Sequence, residues 1–310
     1  MIELSRYTKE KKDDWDNLIT NSKNGVFLFY RNYLDYHKDK FRDHSLIITK
    51  KNKVIAAFPA NENNDEIVSH GGLTFGSLIM NNRLRAVEVL EIFNLIKNYY
   101  SDLGFKKIIY KSIPFIFHSY PAEEDLYALF KLDAELIRRD ISSVIKIKER
   151  LRFSETKRQS VSRCIKNDVE FFENNNFEEY WQLLASVLSK FDTKPVHSLE
   201  EIKLLKSLFP DKIRLFGARD KEKLLAGIVI YDFGNVVHTQ YMANSEAGRK
   251  IGALDFINDH LIAKIYQDRE YYSFGISTEM QGKKLKAGLI QQKEMMGARG
   301  VALDFYAIQL

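Results

Sequence analysis

The feature that most constrains the fold of this 310-residue chain is an order of elements that occurs twice. The repeat is faint in residue identity and clear in arrangement, as expected of duplicated units that must each bury a similar core. Asp13-Asp14-Trp15 opens an amphipathic helix in the first half, and Phe177-Glu178-Glu179-Tyr180-Trp181 opens one in the second, 166 positions later from Trp to Trp. A second helix follows in each half, at about 30–41 and at 198–209, the latter ended by Pro210. Then comes a hairpin. The first joins 45–48 to 54–58 through a Lys-rich turn at 50–53, and the second joins 213–216 to 225–231 through a charged turn at 220–223.

The two halves continue in step. Strands at 66–69 and 236–241 lead to helices at 84–100 and 253–266. The apolar stripes Val87, Leu90, Phe93, Ile96 and Leu254, Ile257, Leu261, Ile265 both have helical spacing. Buried strands at 107–110 and 271–274 precede the helices entered at Pro121 and Leu285. Acids at 123–125 suit the positive end of the helix dipole, and Gly297 is a natural helix stop. Strands at 143–147 and 300–306 close the halves. An antiparallel start that becomes strand–helix–strand predicts an α/β (α+β) fold, each half a mixed, mostly antiparallel sheet flanked by helices. The expected domains are 1–150 and 151–310. They meet in a basic segment around 148–165, rich in Arg150, Arg152, Lys157, Arg158 and Arg163. Such a run either grips phosphates or forms a solvated face, the commoner use of charge runs.

Hydrophobic residues make up 45% of the chain, ample for two cores, and the net charge is only +5. That mild bias fits an anionic nucleotide-like ligand better than a nucleic-acid duplex. A single cysteine, Cys164, excludes a disulfide within the chain and points to a reducing, cytoplasmic setting. It lies in the basic run Arg163-Cys164-Ile165-Lys166, where it is either a nucleophile or, more commonly, an incidental packed thiol. The first residues are charged and no apolar run approaches a membrane span, so neither a leader nor an anchor is expected. No Cys/His spacing suits zinc, and no metal is expected.

This order resembles the GNAT acyltransferase fold, and two copies in one chain resemble the FemAB-like, tandem GNAT branch, as found with bacterial cell-surface polysaccharide gene clusters. The resemblance is carried by His118-Ser119-Tyr120-Pro121-Ala122-Glu123-Glu124-Asp125, His238-Thr239-Gln240-Tyr241, Gly248-Arg249-Lys250-Ile251-Gly252-Ala253-Leu254-Asp255, Phe274-Gly275-Ile276-Ser277-Thr278-Glu279 and Lys293-Glu294-Met295-Met296-Gly297. It implies transfer of an acyl group, usually acetyl from acetyl-CoA or another acyl-CoA, to the amine of a small-molecule acceptor such as an amino sugar or its nucleotide or lipid conjugate. Fem-type relatives use aminoacyl-tRNA instead, which is the one reading that brings in nucleic acid. A degenerate repeat that only binds a ligand or partner is a third reading.

In GNAT proteins a loop of the form Arg/Gln-x-x-Gly-x-Gly/Ala, between a strand and a helix, holds the carrier's pyrophosphate. Gly248, Arg249, Lys250, Gly252 and Ala253 stand at that place, with Leu254 where Gly or Ala is usual. Backbone N–H groups at a helix start suit an anion, so Gly252 is expected to open a helix onto a cleft; an ordinary helix entry is the plain alternative. Catalysis of amine acylation needs a proton acceptor and oxyanion donors. His238 and Tyr241 lie on the preceding strand, where the period of two sends them to opposite faces unless the strand bulges or splays. Ser277 and Glu279 follow a buried strand, where open sheets place ligands; Glu279 is expected to take the amine proton or hold a cation, and Ser277 to line the acceptor or cap a helix. The segment lacks the second glycine of a Gly-x-Ser-x-Gly elbow, which argues against a serine hydrolase. His70, in a glycine-rich turn, and His118 and Glu123, at a helix entrance, are the first-half candidates for the acceptor site, expected between the halves.

Overall fold

The computed structural model describes residues 1–310, the side chain of Phe191 excepted. The chain forms two compact units. One comprises Met1–Asp140, Met280–Lys283 and Ala302–Leu310, and the other Ile141–Glu279 and Lys284–Val301. The chain therefore leaves the first unit after Asp140 and contributes its last nine residues to it.

In the first unit a four-stranded antiparallel sheet is built from β1 (Ile2–Arg6), β2 (Leu46–Lys50), β3 (Lys53–Phe58) and β5 (Ile79–Met80). The β2–β3 turn places Lys51 and Asn52 at φ 52° and 58°, the double left-handed geometry that matches the twist of a tight hairpin. Strand β4 (Glu66–Val68) runs parallel to β6 (Lys107–Lys111), which pairs antiparallel with residues 305–309 of β13 (Arg299–Gln309). Helices α1 (Lys12–Thr20), α2 (Ala86–Asp102) and α3 (Glu124–Lys131) complete the unit. Trp15 of α1 is fully buried and donates its indole N–H to the Phe29 carbonyl at 2.7 Å. The helix expected at 30–41 is one α-helical turn at Arg31–Leu34 continued by a 3-10 turn at Asp35–His37. The buried Arg31 there ion-pairs with Asp35 and Asp43.

The main strands of the second unit run in the order β8 (Glu170–Glu173), β9 (Ile213–Asp220), β10 (Lys223–Asp232), β11 (Val236–Asn244), β12 (Tyr271–Ile276), then residues 142–146 of β7 (Glu135–Lys146), and Thr278–Glu279 pairs with Lys284–Leu285 in a separate short hairpin. All neighbours are antiparallel except β11 and β12. One face packs on α4 (Glu155–Lys166) and α8 (Ala253–His260) through Ala226, Ile228, Ile230, Val237 and Tyr272. The other face meets α5 (Phe177–Leu188), whose Tyr180 fits over Gly227; a Cβ there would lie 2.5 Å from the Tyr180 ring. Helix α6 (Leu199–Leu208) begins with a full capping box, Ser198 accepting from the Glu201 N–H while Glu201 accepts from the Ser198 N–H. Short α7 (Glu246–Ile251) precedes α8, and α9 (Ala287–Glu294) precedes the last strand. No described helix is long and apolar enough to cross a membrane.

Candidate active site

Strands β11 and β12 pair in parallel over three residues only, Val236↔Tyr271 to His238↔Ser273. Beyond His238 they part. Parallel strands that separate at their carboxyl ends create a crevice, the usual ligand position in open sheets. Several of the candidate residues lie beside this parting.

On one lip, β11 bulges. Tyr231 pairs with His238 and Ile230 with Thr239, but Val229 pairs with Tyr241, which leaves Gln240 as the extra residue. The bulge cancels the alternation of the strand. His238 and Tyr241 therefore project from the same face, that of α5, and not from opposite faces as an unbroken strand would place them. Ser273 of β12 shares that face and lies 3.1 Å from His238 Nδ1. Burial, and then the positive charge of Lys293, push the His238 pKa down to about 4, so the imidazole is neutral at physiological pH. Tyr241 is committed elsewhere. Its hydroxyl lies 2.6 Å from His197 Nδ1 and accepts the His197 backbone N–H, its ring meets Trp181 edge-on, and burial raises its pKa to about 12.

The other lip is the turn after β12. Gly275 adopts φ +72°, and a side chain there would meet His238 Cε1 at 3.2 Å, so the glycine leaves the imidazole room. The turn is held by Lys293 of α9, which is 3% exposed. Its ammonium donates to the Gly275 carbonyl at 2.9 Å, the Ile276 carbonyl at 2.8 Å and Ser277 Oγ at 2.9 Å. Burial lowers its pKa to about 8. Ser277 is fully buried and is a partner of this lysine, with its own N–H donated to the Ile141 carbonyl. Glu279 lies outside the cluster. Its carboxylate pairs with Lys284 at 2.6 Å and Lys286 at 2.8 Å, and these partners hold its pKa down to about 2. So weak a base is ill suited to removing an amine proton.

Gly252 opens a helix at Ala253 as expected, but a further short helix precedes it. Residues 246–251 make helix α7, capped by Ser245, and Gly252 is a left-handed junction (φ +93°) between α7 and α8. Its N–H donates to the Gly248 carbonyl at 2.9 Å, and Ala253 is fully buried. Helix α4 lies across the junction: a Cβ on Gly252 would come within 2.4 Å of Ser160 Cβ. Gly248 is likewise a packing glycine, since a Cβ there would lie 2.3 Å from the Leu225 carbonyl oxygen. Lys157 of α4 and Asp255, in the first turn of α8, form a largely buried ion pair at 2.7 Å. Arg249 donates to the Asn244 carbonyl, and Lys250 pairs with Glu246. The start of α8 is thus packed beneath α4 at Gly252, whose N–H is already used within the chain, and it carries Asp255 in its first turn. Cys164 is buried at the same contact, its thiol pushed up to about 11 by burial, the state of an inert packed cysteine.

The first-unit candidates lie in two places. His70 is buried in the left-handed region (φ +58°), and burial holds its pKa well below normal. Its carbonyl accepts Lys111 Nζ at 2.8 Å, and burial lowers the Lys111 pKa to about 7. His118 lies near the entrance of α3 with Nε2 3.2 Å from the Ile113 carbonyl and a pKa lowered to about 4, chiefly by burial. Glu123 is exposed at the N-cap of α3 and caps nothing with its side chain. The sequence assigns no role to Ser273 or His197, and it offers Lys293 only within the motif Lys293-Glu294-Met295-Met296-Gly297. The helix of Lys293 has no apolar stripe that would mark the lysine as buried, and only the folded chain brings the acceptors to it.

No protein-family model and no curated protein matches the chain. Solved structures match it over nearly its whole length. FemX is 10% identical, covering 99% of this chain and 97% of its own, with a TM-score of 0.72. The structure of L-PGS from Bacillus licheniformis is 12% identical, with coverage of 98% and 92% and a TM-score of 0.65. A tandem GNAT protein from the clavulanic acid biosynthesis pathway is 8% identical, with coverage of 100% and 98% and a TM-score of 0.52. The chain has a FemAB-like tandem GNAT fold. At such identities the likeness speaks for architecture, and the chemistry has to be argued from the chain's own side chains.

Proposed function

We propose that this protein is an acyltransferase that moves an acyl or aminoacyl group from an activated carrier to an amine. The observation that carries the reading is the parting of β11 and β12 immediately beyond His238 and Ser273, with a neutral imidazole on one lip and the lysine-held Gly275–Ser277 turn on the other. In the tautomer that donates Nδ1–H to Ser273 Oγ, His238 Nε2 presents a lone pair beside the side-chain-free Gly275. An amine entering there donates a hydrogen bond to Nε2 and attacks the acyl carbon. Once bonded to that carbon, the nitrogen becomes far more acidic, and even a weak base accepts its proton; the tetrahedral intermediate then collapses to the amide by breaking the bond from the acyl carbon to the carrier's sulfur or oxygen, which leaves with the proton returned by His238. Tyr241 and His197 form a wall of this site, and Lys293 fixes its turn. The fold neighbours described as FemX and as a tandem GNAT protein support the reaction class.

The closed start of α8 favours a carrier held otherwise than by a GNAT pyrophosphate loop, so we place an aminoacyl carrier, as in Fem-type transfer, beside acyl-CoA as donor. The acceptor implied by the resemblance is an amino sugar or its nucleotide or lipid conjugate. The test is a radiolabel transfer assay with acetyl-CoA and, separately, charged tRNA as donors, against amino-sugar and peptide amines. Transfer that disappears in His238→Ala supports the proposal. No transfer from either donor, or full transfer by His238→Ala, sinks it.

A further inference from the structure

The basic segment that joins the sequence halves forms a groove of about 500 Å³ on the outside of the second unit, between α4, α8 and the strand-exit segment before α4. Arg150, Arg152 and Arg158 enter it, with Ser162 one helical turn beyond Arg158. Phe153 and Val161 supply an apolar wall. The groove's acid, Asp259, is 3.9 Å from Arg150, a loose contact that leaves most of the positive charge uncompensated. Among the described residues Arg152 and Arg158 form no ion pair, although Arg158 is half-buried. Arg214 and Arg269, comparably buried, are each held by a carboxylate, Glu173 and Asp232. A partly desolvated guanidinium without an acid is what an anion-binding site leaves in its empty state. A second groove of about 570 Å³ shares Arg158 and Ser162 and adds Lys166. Neither groove belongs to the parting of β11 and β12.

We propose that this groove binds a diphosphate-bearing small molecule of nucleotide size, its phosphates on Arg152, Arg158 and Ser162 and its apolar or ring portion on Phe153 and Val161. The volume suits one nucleotide, and the fork of each arginine matches phosphate oxygens two at a time. The site stands whether or not the transferase reading holds, because it is read by binding alone.

The experiment is calorimetric titration of the intact protein with ADP and with inorganic pyrophosphate, at low salt. The expected result is binding of both, weakened about tenfold to a hundredfold by Arg158→Ala, the loss of one charge-assisted contact. Ser162→Asp, which puts a negative charge in the groove while leaving Arg158 in place, should abolish binding and serves if the arginine variant folds poorly. Lys9→Ala, which removes an exposed charge in the first unit, should change nothing. Absence of binding to the wild type, or equal weakening by Lys9→Ala, overturns the proposal. So does binding confined to phosphatidylglycerol vesicles or to RNA and not competed by ADP.

Discussion

Ser160 of α4 and Gly252, between α7 and α8, are packed so closely that no side chain fits at the glycine. Two separate penalties follow for Gly252→Ala. The backbone at φ +93° is disfavoured for an L residue by about 1–2 kcal/mol, and overpacking adds about 1–3 kcal/mol. Urea unfolding should show a loss of about 2–5 kcal/mol in total. In Ser160→Gly/Gly252→Ala only the steric part should return, so the double-mutant coupling separates the two. Full recovery, or no loss in the single variant, would mean that α4 does not seal this junction.

His238 supplies a sharper test of the site. As a neutral base it should make transfer independent of its own titration above about pH 5, with the rate falling only as pH approaches its pKa of about 4. His238→Gln should lower turnover roughly 10²–10⁴-fold with little change in carrier affinity. The same shift has a stability consequence. A histidine whose folded pKa lies below its unfolded value near 6.5 stays neutral while the unfolded chain takes up a proton. Stability is therefore lost as pH falls from about 6.5 towards 4, on the order of 2–3 kcal/mol for one such group. His118, also lowered to about 4, adds to the slope. Chemical denaturation at pH 7 and pH 4.5 should show a smaller difference in His238→Gln than in the wild type. An equal difference would show that His238 is not buried neutral.

Periodicity and turn chemistry made most of the second unit readable in the sequence. The hairpin turn before Lys223 and the Gly297 stop are where local residues dictate conformation, and both are found, with Lys221 at φ 52° and Gly297 at φ 86°. Tertiary contacts made the rest illegible. The bulge at Gln240, which puts His238 and Tyr241 on one face, depends on pairing with β10 and leaves no mark in local sequence. Gly248 and Gly252 looked like a phosphate cradle because glycine at a helix entry signals close approach. The close neighbours are Leu225 and Ser160, and only the position of α4 decides that. The two cations of Glu279 are nearby in sequence, yet their grip on its carboxylate is a matter of side-chain placement.

On the proposed reading Lys293 positions the turn beside His238, and its effect on His238 is measurable. Its charge is one of the two influences that lower the His238 pKa, burial being the larger. Lys293→Met should therefore raise the His238 pKa, seen in the proton NMR titration of the imidazole. It should also leave the Gly275 and Ile276 carbonyls and Ser277 Oγ without their donor, costing on the order of 1–3 kcal/mol for each group that water does not reach. Lys293→Arg keeps the charge and should hold the His238 pKa near its wild-type value even where stability drops. A His238 titration that is the same in all three proteins would separate the two residues.

Glu279 gives the last prediction, and it is a negative one. Its carboxylate is ionised down to about pH 2 because Lys284 and Lys286 stabilise the charged form, and it lies on the surface of its short hairpin. Its carboxylate binds a proton about a hundredfold more weakly than the His238 imidazole, and its two lysine partners already occupy it. Glu279→Gln should therefore leave turnover within about twofold of wild type across pH 6–8, where removal of a general base costs at least about a hundredfold. The ion pairs it breaks are exposed and screened by salt, so any change in carrier affinity should vanish as ionic strength rises. A hundredfold loss of turnover that persists at high salt would return the proton-accepting role to Glu279 and take it from His238.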